Sequence, residues 1–308
     1  MIFLGIDTSN YTTSFSAVSA SEVYHFAKLL PVKPGELGLR QSDAVFAHIK
    51  SLPDLADRLF SHLDGKEAAA VGVSTRPRAV EGSYMPCFLA GESQARVLAR
   101  ALGVPLFTFS HQQGHIAAVA YGAGQPELLD RPLLAWHLSG GTTELLYVEP
   151  GEKGPLARRI GGTTDISAGQ LIDRTGLLLG LDFPAGKALD TLCGIRETAA
   201  FFKVKCSDCA FSLSGVENKV QKLYAETGDG SLTAAYALES VAWAVKAATK
   251  QALERYPGLP VLFSGGVASN SLLRRRMTAL GGVFAAPEYC RDNAYGIACL
   301  TRRAMEGV

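Results

Sequence analysis

The sequence predicts an internally duplicated α/β protein with two domains. Apolar runs typical of strands alternate along the chain with segments whose apolar residues recur at spacings of three and four, as on one face of a helix. The same plan also opens each half. IFLGI at 2–6 and LLAWHL at 133–138 each lead through a small polar tip into a second apolar run. A length of 308 residues accommodates two domains of ordinary size.

The composition is that of a globular protein with sizeable buried cores, because 47% of the residues are hydrophobic and 19% are charged. A formal net charge of +1 gives no global attraction for nucleic acid or an anionic membrane, so we expect any RNA contact to be local or made through a partner. MIFLGIDTSN lacks a basic region, and no run of about 18 apolar residues follows, which predicts neither a signal peptide nor a membrane span. Six dispersed cysteines fit a reduced, cytoplasmic protein.

The elements of the first half follow the opening hairpin. Residues 42–63 show helical apolar spacing, interrupted by Pro53. Residues 68–75 predict a buried strand and residues 88–103 a second helix. VPLFTFS at 104–110 predicts a short strand that leads into a histidine-containing segment.

The boundary between the halves is predicted in YGAGQPELLDRP at 121–132, which is rich in Gly and Pro. This divides the chain into an N-terminal domain of residues 1–122 and a C-terminal domain of residues 123–308. We expect the C-terminal helix to pack back on the first domain.

The second half begins with the hairpin LLAWHLSGGTTELLYV at 133–148. Helical patterns follow at 168–180 and 231–255. PVLFSGGVASNSLLRRRM at 260–277 predicts a strand, a glycine turn and a helix. Strands that alternate with helices in this way favour mixed or parallel sheets.

FSHQQGHIAAVAY at 109–121 places His111 and His115 four residues apart. Residues at that spacing lie on one face of a helix, so the two imidazoles can share one divalent cation. The alternative is that one histidine packs or caps while the other faces solvent. A zinc protease is disfavoured, because the position of its general base, directly after the first histidine, is Gln112.

Two histidines leave a metal under-coordinated, and a carboxylate would complete the set while leaving positions open for substrate. A helix N-cap is the alternative role for Asp292, in EYCRDNAYG. The carboxylates considered as third ligands are Asp7, Asp165, Asp173 and Asp292.

Two glycine turns, SGGTT at 139–143 and SGGVASN at 264–270, can bring backbone N–H groups close to phosphate oxygens. Backbone requirements of the turns themselves are the alternative explanation. With the tip at 7–13 they make three phosphate-sized tips on separate strands.

The single Cys206-x-x-Cys209 motif lacks partner ligands for a closed zinc site. The arginine run at 274–276 predicts a solvated helix face or, alternatively, an RNA contact.

Together these segments resemble the TsaD family of tRNA threonylcarbamoyltransferases over nearly the full length. The resemblance implies the duplicated actin-like (Hsp70-like) ATPase fold, two domains with a cleft between them. The motifs that carry it, in chain order, are IFLGIDTS, H-x-x-x-H, SGG, SAGQLIDRTGLLLGLDFPAG, FSLSG, SGGVASN and PEYCRDNAYGIA.

The resemblance implies transfer of a threonylcarbamoyl group from its AMP anhydride to N6 of adenosine 37 in tRNA. It implies one divalent metal, iron or zinc, held by His111, His115 and Asp292. It also implies TsaB-like and TsaE-like partner proteins, with tRNA bound through the complex and no membrane involved. Asp7 and Asp165 are the predicted catalytic carboxylates, positioning water, metal or the amine.

The implied adenine nucleotide is threonylcarbamoyl-AMP or ATP. Backbone N–H groups of the glycine turn would hold its phosphate, and Asp173 would accept hydrogen bonds from its ribose hydroxyls. The residues predicted to bind it are His137, Leu138, Ser139, Gly140, Gly141, Asp173, Gly186 and Asn270.

This sequence departs from the family pattern close to the expected active site. Asn10-Tyr11-Thr12 replaces Cys-Asp-Glu, Thr142 replaces a histidine, Gln170 replaces an acidic residue, and 75–78 (Thr-Arg-Pro-Arg) replaces a Gly-Pro-Gly loop. Two alternatives therefore stay open. The protein is a carbamoyltransferase with another acceptor, or it is a non-catalytic scaffold that binds nucleotide and a partner.

Overall fold

The structure is a computed structural model that describes residues 1–9, 11–31, 39–63, 65–194, 201–291 and 294–307. Two compact units are present. The first comprises Met1–Asp130, Glu149–Ala157 and Asp292–Val308, and the second comprises Arg131–Val148 and Arg158–Arg291. The first unit therefore extends beyond residue 122 and takes in the C-terminal segment.

Strands and helices alternate along most of the chain. In order they are β1 (Ile2–Ser9), β2 (Thr12–Val18), β3 (Val23–Leu29), α1 (Gln41–Phe60), β4 (Ala68–Arg76), α2 (Phe88–Leu102), β5 (Leu106–Ser110), α3 (His111–Gly122), β6 (Leu133–Leu138), β7 (Thr143–Glu149), β8 (Leu156–Thr163), α4 (Ala168–Leu178), α5 (Gly186–Cys193), β9 (Ala210–Phe211), α6 (Ser214–Thr227), α7 (Gly230–Arg255), β10 (Val261–Ser264), α8 (Ser271–Thr278), β11 (Gly282–Phe284), α9 (Pro287–Arg291) and α10 (Ala294–Glu306).

The two sheets share one strand plan. In the first unit the order is β3-β2-β1-β4-β5. Given in the same direction, the order in the second unit is β9-β8-β7-β6-β10-β11. In each unit an antiparallel hairpin opens the sheet, and its first strand pairs in parallel with a later one: β1 with β4, and β6 with β10. The predicted duplication is therefore confirmed as a repeat of topology, to which the second unit adds the short strand β9.

The sheet of the first unit is covered on both faces. Leu4 and Ile6 of β1 pack with Leu55 of α1 in one apolar cluster, while Gly5 between them faces α10. This follows from the alternation of side chains along a strand. A Cβ on Gly296 of α10 would collide with the backbone of α3, so the glycine lets the two helices approach closely. The C-terminal helix therefore packs against β1 and α3.

Helix α1 confirms the helical pattern predicted over 42–63, and Pro53 lies inside the helix without interrupting it. The proline ring is exposed, and the helix on either side is held by buried Leu52 and Leu55. Apolar burial along one face thus outweighs the one backbone hydrogen bond that proline cannot make.

The core of the second unit lies between its sheet and the long helix α7. Trp136 of β6 is fully buried, and its indole N–H donates to Thr249 Oγ1 of α7 at 2.9 Å. Small residues such as Ala244 and Ala248 on that helix allow the close approach. This packing fixes β6, whose end leads into the SGG tip.

Candidate active site

The predicted histidine pair lies at the start of α3. Ser110 Oγ accepts from the N–H of Gln113 at 3.2 Å, and the Gln113 side chain accepts from the N–H of Ser110 at 2.8 Å. This capping box fixes the first turn of the helix. The rings of His111 and His115 then lie on one face, with centroids 4.6 Å apart and planes at 71°. The spacing prediction for the two imidazoles is therefore confirmed.

Asp7, at the end of β1, holds the first of these imidazoles. His111 Nδ1 lies 3.3 Å from Asp7 Oδ1, and the carboxylate also accepts from the hydroxyls of Ser9, at 2.6 Å, and Ser74. Burial by itself raises the pKa of Asp7, but the imidazole and the two hydroxyls lower it below its ordinary value. Asp7 is consequently an ionised group that orients His111.

The donor set fits a divalent transition metal. Imidazole nitrogens suit iron and zinc, and a carboxylate bound to the far nitrogen of a ligating ring is a common support in such centres. With Nδ1 of His111 facing Asp7, Nε2 is the ring atom that would ligate the ion. Asp292, the predicted third ligand, lies outside the described residues.

A third histidine of the first unit was not singled out from the sequence. His48 of α1 is fully buried, with Nδ1 2.8 Å from Thr13 Oγ1, and its Nε2 has no hydrogen-bond partner among the described residues. Burial lowers the pKa of His48 to about 4, although the charge of Asp7 raises it slightly. Its position on the apolar face of α1, four residues after buried Ala44, was the available sequence signal.

The loop at 75–78 adjoins the start of α3. Arg76 stands opposite Ser110 in the β4–β5 register, and Pro77 O accepts from the N–H of Gln112 at 3.0 Å. Arg76 and Arg78 are both exposed. The substituted loop therefore adds positive charge beside the histidine pair.

In the second unit, the SGG tip at 139–141 follows β6. Ser139 and Thr142 close the turn through Ser139 N–H to Thr142 O at 2.8 Å and Thr142 N–H to Ser139 Oγ at 3.1 Å. A Cβ on Gly140 or Gly141 would meet no atom within 4 Å, and neither residue has a positive φ. The turn itself therefore does not require glycine at these positions. Both glycines are exposed, so a ligand can approach their backbone closely.

The N-terminus of α4 lies against this tip. Ser167 Oγ donates to Gly140 O at 2.6 Å, and a Cβ on Gly169 would collide with the backbone of residues 139 and 140. The helix thus presents its positive end where an anion could approach the tip. Gln170 completes the capping box by accepting from Ser167 N–H at 2.9 Å, as a glutamate would, so this departure from the family pattern has a structural role.

Asp173 and Gly186, two predicted nucleotide-binding residues, lie at one junction. Asp173 Oδ1 accepts from the N–H of Ala185 at 2.9 Å and so holds the start of α5, whose first residue is Gly186. Burial raises the pKa of Asp173, opposed by this hydrogen bond. Its second oxygen accepts no hydrogen bond from the described residues and is available to a ligand.

Asn270 caps α8 by accepting from the N–H of Leu273 at 2.9 Å, and its amide N–H donates to Asp190 at 2.8 Å. Asp190 also accepts from the N–H and hydroxyl of Ser271 at 2.9 and 2.8 Å. These contacts fix the orientation of the Asn270 amide and leave one of its hydrogens for a ligand. Asp190 escaped the sequence analysis, because its partners are 80 and 81 residues away.

Asp165 ties the end of β8 to α6. Its carboxylate accepts from the hydroxyls of Ser212 and Ser214 at 2.5 and 2.6 Å and from the N–H groups of Leu213 and Ser214 at 2.8 and 3.2 Å. Partial burial opposes ionisation, but these donors hold the pKa of Asp165 far below its ordinary value. Its catalytic role stays a prediction, and the geometry favours a positioning role.

The remaining predicted residues lie on or beside β6. His137 is buried opposite Glu144 of β7 and Ser264 of β10 in the strand register. The Leu138 side chain is buried, so only its backbone is available to a ligand. A Cβ on Gly265 would collide with the Leu138 backbone, which shows that the two glycine turns lie against each other.

The CxxC motif forms a tight turn. Gln251 of α7 clamps it by donating to Cys206 O at 3.1 Å and accepting from Cys209 N–H at 2.8 Å. Burial, together with the neighbouring Cys209, raises the pKa of Cys206 to about 11, so its thiol is neutral. These contacts give Gln251 a structural role at the turn.

Comparison with known proteins places these features in a family. The TsaD profile, described as tRNA N6-adenosine threonylcarbamoyltransferase, matches residues 35–299. A protein of that name from Streptococcus pneumoniae (strain Taiwan19F-14) is 35% identical over 246 residues, covering 76% of this chain and 70% of the relative.

Two solved structures share the fold. HypF from T. kodakarensis superposes with a TM-score of 0.60 at 13% identity over 99% of this chain and 47% of its own, so this chain spans about half its length. Component A of (R)-2-hydroxyglutaryl-CoA dehydratase from Acidaminococcus fermentans gives 0.56 at 14% identity, covering 99% of each chain. The predicted actin-like ATPase fold is thereby confirmed.

Within the described part of the chain, no helix has the length and hydropathy needed to cross a bilayer.

Proposed function

The chain belongs to the TsaD family, and from this premise we propose that it transfers a threonylcarbamoyl group from threonylcarbamoyl-AMP to N6 of adenosine 37 in tRNA. The observation that carries the proposal is the open tip at Gly140 and Gly141, set against the N-terminus of α4. A phosphate-bearing donor is the ligand that such a tip accommodates.

Adenylate binding is assigned to the second unit. The N–H groups of Gly140 and Gly141 would bind the phosphate, and the second oxygen of Asp173 would accept from a ribose hydroxyl. The remaining amide hydrogen of Asn270 would donate to an acceptor on the nucleoside. The backbone thus holds the phosphate, while two side chains orient the sugar and base.

In the proposed reaction, N6 of adenosine attacks the carbamoyl carbon, a C–N bond forms, and the bond to the phosphate oxygen breaks to release AMP. N6 loses one proton to solvent. His111 and His115 would hold an iron or zinc ion, which supplies Lewis-acid polarisation when bound. Asp7 keeps His111 oriented, and its lowered pKa makes it a poor proton acceptor.

The partners proposed are TsaB-like and TsaE-like proteins. Supporting a protein partner, the first unit exposes large apolar side chains on two helices: Phe46 (65% exposed) and Ile49 (50%) on α1, and Leu89 (49%) and Val97 (64%) on α2. Phe46 and Ile49 are three residues apart and so lie on one face of α1, where they could contact a protein partner.

The second candidate function is carbamoyl transfer to a different acceptor. Arg76 and Arg78 favour it, because they place exposed positive charge beside the histidine pair where the family has a Gly-Pro-Gly loop. The replacement of the family histidine by Thr142 has the same implication. A scaffold that binds nucleotide without turnover is the third possibility.

Complementation tests the proposal. The gene is expressed, with the host's partner proteins, in a strain depleted of its own TsaD, and tRNA nucleosides are quantified by mass spectrometry. We expect N6-threonylcarbamoyladenosine to return with the wild-type chain and not with His111→Ala/His115→Ala; Asp292→Ala tests the third predicted ligand.

Absence of the nucleoside despite normal expression of the wild-type chain contradicts the proposal. AMP release from threonylcarbamoyl-AMP without modified tRNA would then identify another acceptor, and nucleotide binding without AMP release would identify a scaffold.

A further inference from the structure

Residues 201–206, which we call the lysine strap, lie along α7. The N–H of Phe202 donates to Ser240 Oγ at 3.0 Å, and Cys206 O accepts from the Gln251 side chain at 3.1 Å. Between these two contacts, the N–H of Val204 donates to Phe202 O at 2.9 Å, which makes a tight turn at Lys203. The strap is therefore held to α7 at both ends.

Val204 is buried against α7, whereas Lys203 and Lys205 on either side of it are exposed. The two lysine side chains are therefore accessible to an external ligand.

Three more lysines border the lysine strap. Lys219 of α6 places Nζ 4.7 Å from the ring centroid of Phe202, and Lys203 Nζ lies 5.5 Å from that of Trp243 on α7. Lys246 and Lys250 follow Trp243 by three and seven residues and so share its helix face.

These lysines are not neutralised locally. Among the described residues, no carboxylate lies within 4.0 Å of the five ammonium groups at 203, 205, 219, 246 and 250. Trp243 is half-buried, and its ring centroid lies 5.6 Å from that of Phe201. The surface therefore combines unpaired positive charge with partly exposed aromatic faces, in a chain whose net charge is only +1.

The arginine run at 274–276 is a contrasting case. Arg274 donates to Ala285 O at 2.7 Å, and Arg276 donates to the buried Glu239 of α7 at 2.5 Å. Two of its three guanidinium groups are thus used in packing. The run therefore leaves one exposed guanidinium group, that of Arg275, compared with five ammonium groups at and beside the lysine strap.

We propose that the lysine strap and the lysines that border it bind the phosphate backbone of RNA, which in this protein is the acceptor tRNA; the tRNA assignment rests on the proposed function. Lysine ammonium groups bind phosphates as mobile point charges, and release of counterions makes such binding strongly dependent on salt. The half-exposed aromatic rings offer stacking faces to unpaired bases.

The test compares two variants of equal charge change. Lys203→Gln/Lys205→Gln alters the lysine strap, and Lys28→Gln/Lys50→Gln alters two exposed lysines of the first unit. Binding of fluorescently labelled, unmodified tRNA is measured by anisotropy between 50 and 200 mM KCl. We expect the strap variant to bind about tenfold more weakly at 150 mM salt, with a log–log salt slope smaller by roughly 1.5, and the control to stay within about twofold of wild type. Melting temperature and circular dichroism show that both variants are folded.

Equal tRNA affinity of the folded strap variant and the wild type overturns the inference, as does an equal loss in the control. A transfer assay separates this outcome from failure of the proposed function. If wild type modifies tRNA and the strap variant raises KM for tRNA with kcat unchanged, both proposals are supported. An unchanged KM removes the RNA surface and leaves the function standing. If wild type modifies no tRNA but its binding depends on the lysine strap, the function fails and the RNA surface stands.

Discussion

The hairpins that open the two sheets have equivalent places in the repeated strand plan, but the residues at and beside their tips differ in burial and polarity. In the first unit, Asp7 is buried within a set of hydroxyls and an imidazole, and Thr13 beside it contacts buried His48. In the second unit, Gly140 and Gly141 are exposed, and a Cβ on either would meet no described atom within 4 Å. One copy of the plan therefore buries a network of polar side chains, and the other leaves a glycine backbone exposed.

The comparison shows how two copies of one strand plan can carry different chemistry. Side chains with lone pairs suit a cation, and bare N–H groups suit an anion. Each tip is supported by a helix N-terminus carrying a Ser–Gln capping box, at Ser110 before α3 and at Ser167 before α4. The two units therefore share the capped helix start, but they differ in the residues that lie beside it.

The largest expected effect is in the first unit, where His115→Ala removes one ligand of the proposed metal. We expect bound iron or zinc to fall more than tenfold and transfer activity to fall at least about 100-fold, because the remaining ligands hold the ion poorly. The measurements are elemental analysis of purified protein and the tRNA nucleoside assay. Exposed His62→Ala serves as the control. Unfolding of His115→Ala, with no metal in the folded wild type, would indicate a packing role for the imidazole.

Asp7→Asn tests whether the charge of Asp7 supports the metal site of the first unit. The substitution keeps the size of the side chain and removes its charge. We expect metal affinity to fall by about 10–100-fold, since outer groups that orient ligating histidines have effects of this order. Competition with a chelator measures the affinity. Asp165→Asn is the control in the second unit, where the carboxylate binds Ser212 and Ser214, and there the metal affinity should not change.

Gly140→Val tests the open tip of the second unit. No described atom lies within 4 Å of the new Cβ, so we expect the free energy of unfolding to change by less than about 0.5 kcal/mol. Binding of AMP should weaken about tenfold, because the valine side chain would crowd a phosphate bound at the tip. Gly169→Ala is the matched contrast, with a loss of roughly 1–3 kcal/mol from overpacking. Isothermal titration and chemical denaturation give the two quantities, and unchanged AMP affinity in Gly140→Val would remove the tip from the nucleotide site.

The last prediction leaves activity aside and concerns the pH dependence of stability due to His48. Its pKa is about 4 in the folded protein against an ordinary 6.5, so between these values the unfolded state binds the proton and the native state does not. The stabilisation is present above about pH 6.5 and is lost as pH falls towards 4, at about 1.4 kcal/mol per pH unit. His48→Gln should remove this part of the slope in denaturation curves, whereas His62→Gln should retain it. A slope unaffected by His48→Gln would show that the buried ring does not cause it.

Local pattern in the sequence was enough for the architecture and for the histidine pair. Alternating strand and helix periods predicted the α/β class and the repeated hairpins, and the i, i+4 spacing placed His111 and His115 on one face of α3. These features depend on neighbours within a few residues, which the linear sequence displays directly.

Tertiary structure alone decided how the site residues are held. Asp7 meets His111 across 104 residues, His48 meets Thr13 across 35, and Asp190 meets Asn270 across 80. The surroundings of the glycines are also set by tertiary packing. A Cβ on Gly169 would collide with the backbone of residues 139 and 140, whereas a Cβ on Gly140 would meet no described atom within 4 Å. The physical reason is that hydrogen bonding and excluded volume act over a few ångströms in space, whatever the separation of the groups along the chain.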